Sequence, residues 1–260
     1  MTTFKSTHPT ARKMVIKLGG STLEGLNEAF FHNFKVLQAQ GIQLIITHGG
    51  GPHINRALQN AGIDSQIVNG LRVTSEDMIG IVQSTLIGQV NPALVHELTS
   101  AGIQAIGLNG FDGQLLQSDF LDETTYGFVG KVINVNSEII DALLMKNIVP
   151  VIACIGATNG GKGLNINGDT VASEIALAIG ADSLLLVTDV AGIRIDDEYQ
   201  TEVTQDQIEQ WIQEGHIYGG MIPKVQGALN CLQAGIPSVQ IVKENRKFHM
   251  TNSGRNVAEP

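Results

Sequence analysis

Cysteine, basic charge and long apolar runs are all in short supply in this sequence, and each shortage closes off a class of protein. The two cysteines, Cys154 and Cys231, stand far apart among apolar neighbours (VIACIGA and ALNCLQA), with no metal-ligand spacing around either. They are expected to be buried free thiols, which fits a reducing, cytoplasmic compartment. Lysine and arginine number 16 against 25 aspartates and glutamates, a net charge of −9, and no basic run exceeds two residues. A face that coats nucleic acid is therefore not expected. No apolar stretch approaches the ~20 residues of a membrane-spanning helix. The opening residues MTTFKSTHPTARK have no apolar core of the kind a secretory signal needs, and they are expected to form a short tail, 1–13.

What is abundant is glycine. The chain has 30 in 260 residues, about 12% against a usual ~7%, without the period of a fibrous repeat. Hydrophobic residues make up 43% and charged residues 16%, enough apolar material for a sizeable core and too little charge for disorder. Apolar runs of strand length (MVIKL, IQLIIT, IQAIGL, IVPVIACI, SLLLVTDV, SVQIV) alternate with amphipathic stretches of helix length. Continuous apolar strands between helices are the mark of a parallel sheet covered on both faces. The expected fold is α/β, a three-layer αβα sandwich around a central, mainly parallel sheet. Ser75 to Ser100 predicts one long helix, opened by Thr74 and Asp77 at capping-box spacing. Segments 109–133 and 156–167 break the alternation and are expected to form hairpins at a binding rim. No linker separates folding units, so two lobes on one sheet are expected, 14–180 and 181–260.

Several short motifs carry chemistry. In IKLGGST, Lys17 interrupts an apolar strand just before Gly19 and Gly20. A buried lysine needs an anion or a carboxylate, although a strand-end lysine can also snorkel to water. ITHGGGPHI places Gly49, Gly50 and Gly51 between a strand and a helix, where free N–H groups and the helix dipole favour an anion. His48 and His53 within it are expected to be structural. Gly156 to Gly163 imitates a phosphate loop, but Gly163 stands where Ser or Thr must bind magnesium, so a hairpin turn is expected instead. Arg72 in NGLRVT offers a two-pronged donor for a carboxylate or a structural ion pair. LNINGDT spaces Asn165, Asn167 and Asp169 at alternating positions; Asp169 also suits a helix N-cap. In GGMIPKV, Pro223 is expected at the first helical position, which puts Lys224 at the end of the dipole that disfavours a cation. Something anionic should compensate it.

In this order, IKLGGS, HGGGP, NGLRVT, LNINGD, LLVTDVAGI and GGMIPKV resemble the amino acid kinase family, within it the acetylglutamate kinases, over roughly residues 14–242. The resemblance implies phosphorylation of the side-chain carboxylate of N-acetyl-L-glutamate by MgATP, the second step of arginine biosynthesis. By that similarity Lys17 and Lys224 stabilise the transferring phosphoryl group and Asp169 holds the two lysines. Gly50 and Gly51 bind substrate or phosphate through backbone N–H groups, and Gly20 lies near the phosphates. Arg72 and Asn165 hold the acetylglutamate. Asp189, Val190, Ala191, Gly192, Ile193 and Arg194, with His216, Ile217 and Tyr218, line the nucleotide site, and the magnesium rides mainly on the phosphates. The resemblance also implies a homodimer through the helix 75–100, whose Ile79, Val82, Leu86 and Val90 form an apolar stripe; a stripe facing the core is the alternative. The C-terminal KFHMTNSGRNVAEP departs from the family, whose members tend to close on a strand with a Gly-Thr pair. The chemistry is coherent in itself. A glutamate-type carboxylate is ionised at neutral pH, so no general base is needed. The obstacle is repulsion between two anions, which cations and N–H donors relieve.

Overall fold

Strand β1 (Lys13–Leu18) lies inside the sheet, and its side chains alternate between two helical layers. The computed structural model describes residues 12–20, 23, 26–188, 193–196, 198–200, 203–219 and 221–243. Within it, β1 pairs with β2 (Gln43–His48) and β11 (Ser183–Thr188). Beyond these lie β8 (Val149–Ala153) with β5 (Ala105–Leu108) on one side and β14 (Ser238–Lys243) on the other. All five pairings are parallel. On one face Met14, Ile16 and Leu18 pack with Phe30, Phe34 and Leu37 of helix α1 (Glu28–Ala39) and with Leu94 and Leu98 of α4 (Asn91–Ser100). On the other face Val15 and Ile45 pack with α6 (Ser137–Leu144) and α7 (Gly168–Ala178), and Cys231 of α9 (Met221–Gln233) joins them. The three-layer sandwich expected from the alternation is the fold observed.

The two irregular segments build a smaller sheet. There β6 (Leu116–Phe120) pairs antiparallel with β7 (Gly130–Val135), and β9 (Ile155–Ala157) with β10 (Gly163–Asn165). The short helix α5 (Glu123–Tyr126) joins β6 to β7. IVPVIACI, expected as one strand, breaks at Cys154 and contributes β8 to the large sheet and β9 to the small one. Helix α2 (Gly51–Asn60) is followed by a hairpin of β3 (Ile67–Val68) and β4 (Leu71–Arg72). Asn69 and Gly70 turn that hairpin with φ of 51° and 79°, as a two-residue turn between right-twisted strands requires. A further hairpin, β12 (Arg194–Ile195) with β13 (Glu198–Tyr199), precedes α8 (Gln205–Gln213), a helix additional to those the apolar alternation predicts. Thr204 and Gln207 form its capping box.

The long helix exists, but not as expected at its start or on its apolar face. It runs through α3 (Glu76–Thr85), a π-turn over Leu86–Val90 and α4. Pro92 accounts for the π-turn, since its ring crowds the carbonyl of Gly88 and it has no N–H to donate. Ser75, not Thr74, is the N-cap, and the Thr74 hydroxyl instead donates to the Arg72 carbonyl at 2.9 Å, so no capping box forms. Val82, Leu86 and Val90 are buried with Ile54 and Leu58 of α2. Three of the four stripe residues expected at a dimer surface therefore face the core. By length and composition the stretch 76–100 is apolar enough to cross a membrane, yet its apolar side is covered by the protein itself. Residues 1–11 of the tail and 244–260 of the atypical C-terminus lie outside the described residues.

Candidate active site

Period-two alternation puts Lys17 on the same face of β1 as Val15, towards α7. There it meets Asp169. Lys17 Nζ stands 2.8 Å from Asp169 Oδ1, and Lys224 Nζ stands 3.1 Å from Oδ2 of the same carboxylate. Lys17 and Asp169 each retain only 6% of their surface. The expected anion for both lysines is thus one side chain. Asp169 is free for this because Asn167, not Asp169, caps α7; the Asn167 side chain accepts from the backbone N–H of Asp169 at 2.9 Å and of Thr170 at 3.1 Å. Asp169 then sits in the first turn, where the helix dipole favours a carboxylate. Burial pushes its pKa up, but Lys17 and Lys224 outweigh that and hold it below the ordinary carboxylate value. Burial, then the neighbouring Lys17, draw the Lys224 pKa down, opposed by Asp169.

Lys224 reaches this carboxylate through close packing of α9 on α7. The helix starts at Met221, two residues before the expected Pro223, so Lys224 is its fourth residue. One turn further on, Gly227 presses against α7: a Cβ there would stand 3.1 Å from Ser173 Oγ. That hydroxyl is bonded to the Asp169 carbonyl at 3.0 Å.

The glycines meet at the same point. A Cβ on Gly20 would lie 2.6 Å from the Gly51 nitrogen and 2.7 Å from Pro52 Cδ, and one on Gly50 would lie 2.6 Å from Leu86 Cδ2. Gly51 opens α2 and Gly50 is its N-cap, so neither N–H has an acceptor within the helix. Gly168 was not anticipated as part of the site. It borders Lys17, whose Cε would stand 3.2 Å from an added Cβ. Its place inside LNINGD was the available signal.

Beside the lysines opens a cavity of about 190 Å³ whose walls include Gly50, Gly51, Arg72, Asn165 and Gly168. The cavity brings Arg72 and Asn165 together with the glycines. Arg72 donates from NH2 to Asn55 Oδ1 at 2.6 Å and from NH1 to Ser65 Oγ, both neutral acceptors. Partial burial lowers its pKa. Asn165 Nδ2 donates to Thr74 Oγ1 at 3.1 Å. The strand β10 ends at Asn165, so the alternation expected for Asn165, Asn167 and Asp169 does not hold; a turn and a helix start bring the last two to the site. Cys154 also lines the cavity, and burial pushes its thiol up to about 12, so it is inert at neutral pH.

Among the described residues, those that the resemblance assigns to the nucleotide fall into two groups. Ile193 and Ile217 are buried with Ile195, Ile208, Val225 and Leu229. Arg194, which lies 6.0 Å over the Tyr199 ring, His216 and Tyr218 are exposed. Asp189, Val190, Ala191 and Gly192 lie outside the described residues. The imitation phosphate loop is the β9–β10 hairpin, closed by the Thr158 N–H on the Lys162 carbonyl at 2.9 Å. Its Lys162 ammonium lies over the rings of Phe120 and Phe128, 5.7 and 5.8 Å from their centroids. Among the described residues no three His, Cys, Asp or Glu side chains cluster as a metal site.

Known proteins share this architecture and sequence. The profile of the amino acid kinase family matches residues 12–243. Acetylglutamate kinase of Halalkalibacterium halodurans is 43% identical over 235 residues, 90% of each chain. Acetylglutamate kinase of Geobacillus stearothermophilus is 41% identical, over 93% of this chain and 94% of that one. A crystal structure from Streptococcus mutans UA159 superposes with a TM-score of 0.85 at 35% identity, covering 88% of this chain and 94% of its own. With a match that spans nearly every described element, the chain belongs to the amino acid kinase family, in its acetylglutamate kinase group.

Proposed function

We propose that the chain transfers the γ-phosphoryl group of MgATP to the side-chain carboxylate of N-acetyl-L-glutamate, giving N-acetyl-L-glutamyl 5-phosphate for arginine biosynthesis. The observation that carries this reading is the pair of lysines on one buried carboxylate, Lys17–Asp169–Lys224, beside the glycine loop and the Arg72 cavity. Two ammonium groups and one carboxylate leave one net positive charge where a phosphoryl group in transfer carries negative charge. Lys17 and Lys224 bind that group, Asp169 fixes their positions, and the N–H groups of Gly50 and Gly51 add donors. Gly20 stays bare so that the two loops can close on each other. Arg72 and Asn165 orient the acetylglutamate so that its γ-carboxylate faces the phosphoryl group. Magnesium arrives with the nucleotide as part of the substrate. The nucleotide is assigned by the resemblance to 189–194 and 216–218, of which Ile193 and Ile217 are buried.

The acetyl group matters electrostatically. It removes the α-ammonium of glutamate, which Arg72 and the two lysines would repel. A coupled ADP-release assay tests the proposal: N-acetyl-L-glutamate should give a far higher kcat/KM than free glutamate, and comparable values would refute it. The chain works in the cytoplasm as a homodimer. The helix 76–100 would contribute its outward side, where Gly80, Ser84 and Gly88 are exposed, because the opposite side is buried in the subunit. A monomer by light scattering would remove that part of the proposal.

A further inference from the structure

We propose that His48 and Asn91 are positioning residues which set the direction in which the glycine loop presents the Gly50 N–H to the phosphoryl group. The inference rests on the reading of Gly50 as a donor and adds two residues that touch no substrate. His48 ends β2, and alternation puts it on the face of Ile46, opposite Lys17 and towards α4. Its ring is completely buried. Nδ1 lies 2.8 Å from the Gly49 carbonyl, and Nε2 lies 2.9 Å from Asn91 Nδ2. The same Asn91 nitrogen also donates to the Val151 carbonyl at 2.9 Å.

This network leaves one consistent arrangement of protons. An amide nitrogen only donates, so His48 Nε2 must accept. In a neutral ring the other nitrogen then carries the hydrogen, and Nδ1–H donates to the Gly49 carbonyl. Burial keeps the ring neutral, drawing its pKa down to about 4. Reversing the Asn91 amide would set its oxygen against the Val151 carbonyl, so the tautomer is locked. In a planar trans peptide the carbonyl and the following N–H point in opposite directions. Anchoring the Gly49 carbonyl on His48 therefore turns the Gly50 N–H to the side away from the ring, and Gly50 lines the substrate cavity. Asn91 occupies its place because the π-turn immediately before it shifts the helix by one residue. The same turn brings Leu86 and Val90 against Gly50.

The experiment compares two replacements that each keep one edge of the ring. In His48→Asn the side-chain nitrogen can take the place of Nδ1–H, whereas His48→Gln reaches the Nε2 position and leaves the Gly49 carbonyl unbonded. Kinetics with MgATP and N-acetyl-L-glutamate should give a kcat for His48→Asn within about threefold of wild type. For His48→Gln the fall should be about 10–100-fold, short of the ~10²–10³ expected when a donor is lost outright. KM for acetylglutamate should move little in either. Nitrogen-15 NMR of the wild-type imidazole should show Nδ1 protonated and Nε2 bare at neutral pH. Equal kcat values for the two variants, or an Nε2–H ring, would overturn the positioning role. An unaltered chain inactive on acetylglutamate would instead sink the functional reading beneath it. If neither variant folds, Asn91→Ala carries the test, since it leaves ring and cavity in place. A lowered kcat with an unchanged KM and a mixed tautomer supports the proposal, and a wild-type kcat overturns it.

Discussion

Replacing Asp169 by Asn removes one charge with almost no change in volume and isolates the role of this carboxylate. Both of its oxygens are occupied, by Lys17 at 2.8 Å and Lys224 at 3.1 Å. After substitution two ammonium groups remain together, and the amide NH2 must face one of them. Removing one partner of a buried pair costs about 3–5 kcal/mol. The Lys224 side chain keeps 19% of its surface and can turn to water, so the lower end, about 3 kcal/mol, is expected. For a chain of this size that corresponds to a Tm lower by about 6–12 °C. The pH dependence has a definite sign. The folded pKa of Asp169 is depressed below its ordinary 3.8, so its stabilisation is complete above that value and disappears as pH falls through the folded one. The Tm difference should thus be constant across about pH 6 to 8 and shrink only in strong acid. Adding Lys17→Met to Asp169→Asn should restore part of the loss, with a coupling above about 1 kcal/mol in the double-mutant cycle. Thermal melts by circular dichroism measure all of this. An Asp169→Asn variant that melts with wild type, or a cycle without coupling, would refute the argument.

Lys17→Ala and Lys224→Ala should each lower kcat by about 10²–10³, with the double variant short of the product because both act on one group; a wild-type kcat in either removes that lysine from the mechanism. Arg72→Lys should raise KM for acetylglutamate much more than KM for ATP, since lysine keeps the charge and loses the fork that Asn55 and Ser65 hold. Equal effects on both constants would remove Arg72 from the proposed binding of acetylglutamate. Gly168→Ala should lower kcat with little change in Tm, because the new methyl meets Lys17 Cε at 3.2 Å and the flexible side chain can yield. Unchanged kcat would show that Lys17 tolerates the displacement.

What the sequence made legible follows from which signals are local. Continuous apolar strands and one misplaced lysine in each of two segments are local, and they led to the sheet and to Lys17 and Lys224. The Thr204–Gln207 capping box before α8 is an equally local mark of a helix start. The stripe of Val82, Leu86 and Val90 declares a buried face but not its partner, and the partner is α2 rather than a second subunit. Cys154 carries no mark of the point where the chain passes from one sheet to the other. Asn167 and Asp169 are both good caps, and only the position of the helix start decides between them. Asn55 and Ser65 reach Arg72 through the β3–β4 hairpin, and no spacing rule connects them.

The shared carboxylate also accounts for a division of labour that two independent lysines would not provide. An ammonium on a strand and another on a distant helix would each be free to swing with solvent, and their mutual repulsion would favour that. One rigid anion at the start of α7 removes the freedom of both, yet neutralises only one of the two charges. Its depressed pKa means that it holds no proton at neutral pH and binds one reluctantly. Such a group is a poor base, and the proposed reaction asks for none, because the attacking carboxylate is already ionised. Asp169 is thus suited to hold the geometry of charge constant while the phosphoryl group moves. The neutral acceptors around Arg72 follow the same logic: Asn55 and Ser65 fix the guanidinium without cancelling its charge, as the proposed role in holding the substrate carboxylate requires.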